Sequence, residues 1–112
     1  PCMHEFVMTL KRQHHDLGVS AMDIAKGMID RGIHPPTMYF PLIVEEALMV
    51  EPTETEPKAV LDEAVRVLSE LLDLAASDPQ ALQACPTTTP VGRIDEVQAA
   101  RHPILRWQKG NE

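Results

Sequence analysis

The chain has 112 residues, enough for one domain with a modest core. Hydrophobic residues make up 44% and charged residues 24%, and the formal net charge is −7. That acidic balance argues against unspecific binding to nucleic acid or to an anionic membrane surface, which need basic patches, and the apolar runs are too short to span a membrane.

The first stretch, Cys2–Leu10, alternates with a period of two: Phe6 and Met8 fall on one face, Val7 and Thr9 on the other. Phe, Val and Thr suit a pleated surface, so this is read as a strand. The pattern begins at once, without an initiator methionine, as expected of a piece of a larger polypeptide. Lys11–Gly18 is polar and ends in glycine, and is read as a turn or loop. Ser20 then opens a helix, with Asp23 completing a capping box in which Asp replaces the usual Glu or Gln. Ala21, Ile24, Ala25, Met28 and Ile29 form its apolar stripe. Gly27 costs about 1 kcal/mol against alanine in mid-helix and suggests close packing on a sheet. Gly32 suits the left-handed residue that ends a helix.

His34–Thr55, HPPTMYFPLIVEEALMVEPTET, carries Pro35, Pro36, Pro41 and Pro52. Each fixes its own φ and pushes the preceding residue away from helix. The stretch is read as a stiff crossover delivering a buried strand near Ala47–Glu51. A short helix continuing from Val44 is the competing reading. A long helix follows from about Pro57 to Ala76, with Val60, Leu61, Ala64, Val65, Leu68, Leu71, Leu72 and Ala75 as its stripe. Lys58–Asp62 and Arg66–Glu70 are four apart with opposite sign on its other face. The expected partner of that stripe is the pair of strands. Asp78-Pro79 starts a short helix to about Cys85. Pro86–Glu112 is irregular, with a helical turn or two over Asp95–Ala100, and its Ile104, Leu105 and Trp107 call for burial. The expected division is an α/β (α+β) two-layer sheet-and-helix domain over 1–85 and a tail over 86–112 that packs on the parent protein or a partner.

No complete site emerges from spacing. Cys2 and Cys85 form no CxxC or zinc pattern, and a pair of free intracellular thiols is preferred to a disulfide between them. His14 and His15 are adjacent and do not converge, so surface roles are preferred to metal binding. His34 reads most simply as a cap at the end of the first helix. With Thr37 it also makes a pocket-lining pair on a rigid loop. Glu51, Glu54 and Glu56 read as a solvated helix start rather than as general acids. Arg93, Arg101 and Arg106 are expected to pair with Asp95, Glu96 or a partner's acids. Phosphate-loop, dinucleotide and nucleophile-elbow motifs are absent from the sequence.

Three stretches together, HEFVMTL…SAMDIAKGMIDRG, HPPTMYFPLIVEEALMVEPTETEPK and VGRIDEVQAARHPILRW, resemble the C-terminal part of glycine dehydrogenase (decarboxylating), the P-protein of the glycine cleavage system. The likeness runs from about His4 to Trp107, and the strings HPPTMYFP, EPTE and AARHPILRW in that order make it specific. It implies the small C-terminal domain of an aspartate-aminotransferase-type enzyme that uses pyridoxal 5'-phosphate. Such an enzyme decarboxylates glycine and passes the aminomethyl group to the lipoyl arm of the H-protein. It also implies an upstream large domain holding the cofactor, a second P-protein subunit, and a cytoplasmic location in bacteria or a mitochondrial one in eukaryotes. Lys11, Lys26, Lys58 and Lys109 do not match the setting of the family's cofactor lysine, so neither a tightly bound cofactor nor independent activity is expected of this stretch. His34, Thr37 and Tyr39, with Phe40 behind them, become the candidates for a substrate entrance. The competing reading is a stand-alone acidic interaction module without activity; a histidine-based metal protein ranks below it.

Overall fold

The computed structural model describes residues 3–107 and 109. The chain runs β1 (Phe6–Thr9), α1 (Lys11–Leu17), α2 (Ala21–Ile29), β2 (Thr37–Met38), β3 (Ala47–Val50), α3 (Lys58–Ser77), α4 (Pro79–Gln83) and α5 (Glu96–Arg101). It is an α/β sheet-and-helix domain, as the sequence pattern implies.

The three strands form one antiparallel sheet in the order β1-β3-β2. Phe6 faces Val50, Met8 faces Leu48, and Met38 faces Leu48 from the other side. Because side chains alternate along a strand, these residues share one face. That face meets the helices: Leu48 joins Ile24, Met28, Val67, Leu71 and Leu82 in the core, with Met8 and Met38 packed against them. The opposite face carries Val7, Met49 and Thr37 in one row, with Val7 and Thr37 exposed and Met49 half-buried. Ala47 and Leu48 are adjacent and so lie on opposite faces of β3; both are buried, and Met49 and Val50 are half-buried, so the strand is covered on both faces at its start, as its apolar run suggests, and only partly beyond it.

The structure departs from the sequence reading at several points. Lys11–Leu17 is a helix, not a loop, closed at its end by Gly18 in the left-handed conformation, φ 70. Lys, Arg, Gln and Leu are good helix formers, and the buried Leu10 accepts the first intrahelical bond from His14 N–H at 2.8 Å. The proline crossover contains a strand of its own, β2, which makes β2–β3 a hairpin and excludes a helix running on from Val44. The mid-helix glycine packs on helices rather than on the sheet. A Cβ at Gly27 would lie 2.6 Å from Leu71 Cδ2 and 2.8 Å from Leu82 Cδ1.

The remaining elements follow their local signals. Ser20 Oγ accepts from Asp23 N–H at 3.2 Å, and Asp23 Oδ2 accepts from Ser20 N–H at 2.8 Å, closing the capping box. Gly32, φ 73, ends the turn beyond α2. Arg31 Nη1 donates to Gly27 O at 3.1 Å there, so an arginine, not His34, closes the carbonyl end of α2. α3 begins one residue later than its pattern suggests, with Pro57 as an extended cap residue. Its ion pairs are present: Lys58 reaches Asp62, and Arg66 bridges Glu70 and Glu63. Its buried positions are Val67, Leu71 and Ala75, while Val65 remains 67% exposed. Asp78 caps α4 by accepting from Ala81 N–H at 3.0 Å, and Asp95 caps α5 from Gln98 N–H at 2.8 Å. No helix among the described residues is long and apolar enough to cross a membrane.

Candidate functional site

The hairpin between β2 and β3 is where backbone strain concentrates. Tyr39 and Glu46 sit at its two shoulders with φ 61 and φ 51, in the left-handed region that side chains beyond glycine seldom adopt. Each such residue costs about 1–3 kcal/mol and persists where its surroundings hold it. Here they do. Tyr39 N–H donates to Ala47 O at 2.8 Å, and the Glu46 carboxylate accepts from Ala21 N–H at 2.6 Å. That second contact places an anion against the positive end of α2, beside the capping box.

The Tyr39 side chain leans toward the same helix start. Burial, and then the Glu46 carboxylate, push its phenol above the ordinary value, while Met22 N–H and the Ser20 hydroxyl pull it back. Tyr39 borders a shallow cleft of about 450 Å³ with Met22 and Lys26 of α2 and with Arg93, Asp95 and Glu96 of the tail. Arg93 is already engaged. Its Nη1 lies 2.6 Å from Asp23 Oδ1, and its Nε donates to Cys85 O at 2.7 Å. Burial raises the Asp23 carboxyl, but the Ser20 bonds and then Arg93 outweigh it and hold it below the usual range. The pairing expected of Arg93 with Asp95 or Glu96 is therefore replaced by a pairing with a helix cap.

His34 and Thr37 do not line this cleft. His34 is exposed between α2 and Pro35, and Thr37 lies on the open face of the sheet opposite Met49. Tyr39 is thus separated from the other two. Sequence reasoning missed Lys26, Glu46 and Arg93 as its neighbours. The capping box pointed to Asp23, but no local signal marks a distant arginine as its partner.

Other reactive groups are quiet. The Cys85 thiol is buried and donates to Ala81 O at 3.6 Å; burial, and then Asp30, push it up, away from the thiolate. Cys2 lies outside the described residues. Among those residues, no group of three or more His, Cys, Asp or Glu converges as a metal site would require. A pyridoxal phosphate site needs a lysine amine presented to a cavity and donors for a phosphate dianion. Lys11 and Lys58 hold exposed ion pairs with Glu45 and Asp62. Lys26 borders a cleft whose rim carries Asp95 and Glu96, the wrong sign for phosphate. Lys109 is exposed near the end of the tail. The described residues do not fit that cofactor.

Against this geometry, a family model described as "Glycine dehydrogenase, C-terminal domain" matches residues 1–81 of the chain. "Probable glycine dehydrogenase (decarboxylating) subunit 2" of Treponema denticola is 60% identical over 107 residues, which is 96% of this chain and 22% of that protein. The proteins of the same name from Thermotoga maritima and Desulforamulus reducens are 50% and 53% identical, over 96% and 95% of this chain and 23% and 22% of their own lengths. The chain therefore spans less than a quarter of the length of the curated relatives it matches. The resemblance carried by HPPTMYFP, EPTE and AARHPILRW is borne out: the chain belongs to the glycine dehydrogenase C-terminal domain family.

Proposed function

We propose that this chain is the C-terminal domain of a glycine-decarboxylating subunit whose remaining domains carry the cofactor. The whole protein would decarboxylate glycine with pyridoxal 5'-phosphate and transfer the aminomethyl group to the lipoyl arm of an H-protein. A second subunit would complete it, in keeping with the name "subunit 2" of the relatives, and it would work in the cytoplasm. The observation that carries this reading is the 60% identity to a protein of that name across 96% of the chain. The poor fit of Lys11, Lys26 and Lys58 to the cofactor agrees with a cofactor held elsewhere in the polypeptide.

Within that reading, the role of this domain is to close over the substrate side of the enzyme. His34, Thr37 and Tyr39 stand at its entrance. Their support is position: all three lie on the proline-stiffened segment that ends in the braced hairpin, and His34 and Thr37 are free of the core. The test is the full-length subunit assembled with its companion. Exchange of the glycine carboxyl carbon with bicarbonate, together with the absorbance of bound pyridoxal phosphate, is the expected result. A folded, assembled protein with neither property would overturn the proposal in favour of a non-catalytic interaction module.

A further inference from the structure

β2 and β3 are joined by Phe40–Glu45, and the tip of this loop is apolar and bare: Leu42 is 80% exposed, Ile43 94% and Phe40 52%. Single exposed apolar residues are ordinary on any protein. Three within four positions, on one loop tip, are not. The loop is also braced, by an internal turn bond and by contacts from Thr9 and Lys11. Val44 N–H donates to Pro41 O at 2.9 Å, Thr9 Oγ1 donates to Glu45 O at 2.6 Å, and Lys11 Nζ lies 2.8 Å from the Glu45 carboxylate. The left-handed Tyr39 and Glu46 fix its two ends. A loop whose task is only to turn the chain takes glycine or asparagine at such positions and polar residues at its tip. This one holds strained backbone in place and presents apolar side chains in a fixed arrangement. That is preorganisation for contact, since a rigid element loses little entropy on docking.

We infer that the Phe40–Glu45 tip is a peg that seats in an apolar cleft on the remainder of the same polypeptide. The inference rests on the reading that this chain is one domain of a longer subunit, and size selects the occupant. Three side chains of this kind offer roughly 400 Å² of contact, about half of the ~800 Å² per partner that a stable interface between separate chains buries. A covalently tethered partner needs far less, because the tether supplies an effective concentration on the order of millimolar. The other long exposed apolar set, Ile104, Leu105 and Trp107, lies in the tail without comparable bracing, so it does not share this argument.

The experiment uses the full-length subunit assembled with its companion, carrying the photo-crosslinking residue p-benzoylphenylalanine in place of Ile43. After irradiation, digestion and peptide mapping, the expected product joins position 43 to a peptide of the same chain outside this domain. A product joined to the companion subunit or to a second copy overturns the inference, and so does the absence of any crosslink. A second variant, Leu42→Asp with Ile43→Asp, is expected to raise the rate of proteolytic cleavage between this domain and the rest of the chain about tenfold or more. An unchanged cleavage pattern also overturns it. Neither readout requires turnover, so glycine–bicarbonate exchange by the unsubstituted protein tests the proposed function separately.

Discussion

The guanidinium of Arg93 lies 2.6 Å from the carboxylate of Asp23, a residue seventy positions earlier in the chain that already completes the capping box of α2 with Ser20. Asp23 is the one charged side chain counted as buried among the described residues, at 5% exposure. A buried carboxylate is stable when its lone pairs are occupied and its charge is matched. Ser20 meets the first need and Arg93 the second. The pairing also fixes the start of the tail, because the same guanidinium donates to Cys85 O.

Replacing Arg93 should therefore loosen two things at once. Removing one partner of a buried pair costs about 3–5 kcal/mol, and partial exposure of Arg93 lowers that to about 2 kcal/mol here. Arg93→Ala should lose that much in urea unfolding and open the 86–95 segment to protease. Arg93→Lys should recover part of the stability but not the contact to Cys85 O, since an ammonium lacks the guanidinium's fork. A variant as stable and as resistant as the parent would show that the tail is held by other contacts.

Asp30 is the second acidic clamp of α2. Its carboxylate accepts from the backbone N–H of Thr87 at 2.8 and 2.7 Å and of Thr88 at 2.9 Å, and from the Thr88 hydroxyl at 2.8 Å. Burial works against ionisation, but these donors outweigh it and hold the carboxyl well below its usual range. The carboxyl thus ionises at lower pH in the folded state than in the unfolded one. Its contribution is fully present above the unfolded value of about 4 and is lost as pH falls through the lower folded value. Asp23 titrates in the same direction. Stability followed by denaturation should fall steadily below about pH 4, and Asp30→Asn should flatten that slope while lowering stability at neutral pH. A slope unchanged by Asp30→Asn would remove Asp30 from the account.

Gly27 separates two opposing effects. Alanine is favoured over glycine in a helix interior by about 1 kcal/mol. Against that, the added Cβ meets Leu71 and Leu82, both 0% exposed, and overpacking of this kind costs about 1–3 kcal/mol. Neither leucine has free space to retreat into, so the clash should prevail. Gly27→Ala should lower the melting temperature, and its added cost should be smaller when measured in a Leu71→Ala background, where the truncated side chain leaves room for the new Cβ. A more stable Gly27→Ala protein would show that the two leucines repack cheaply.

How much of this was legible in the residues depends on how local its cause is. The cap at Ser20, the stripe of α2, the ion pairs of α3 and the starts at Asp78 and Asp95 each arise within one turn of chain, and each was readable. α1 was not, because Lys11–Leu17 has no apolar stripe and is anchored by Leu10 and by Lys11–Glu45, contacts made across the fold. β2 was hidden for a similar reason: two residues carry no period, and the strand exists only because β3 pairs with it. Arg93 could be counted but not placed. The apolar run of β3 suggests burial on both faces, which holds at Ala47 and Leu48 and only in part at Met49 and Val50, where the sheet opens. The family resemblance was legible because it rests on strings of residues rather than on packing. Tyr39 was singled out from its segment alone; its neighbours depend on where the tail returns.

The entrance role proposed for His34 and Thr37 separates cleanly from stability. Both side chains are exposed, and substitutions at such positions usually change folding free energy by less than about 0.5 kcal/mol. His34→Ala and Thr37→Ala in the full-length, assembled protein should therefore leave the unfolding midpoint in place while lowering the rate of glycine turnover at glycine concentrations below KM. Tyr39→Phe should do less to turnover than either, because its phenol is engaged at the start of α2 rather than on the open face of the sheet. An effect at the entrance on substrate capture should appear mainly in KM, since contacts made equally in ground and transition states change binding and not kcat. Unchanged kinetics in both alanine variants would return His34 and Thr37 to a purely structural role. A fall in turnover matched by a fall in the unfolding midpoint would do the same, since it would trace the loss to folding.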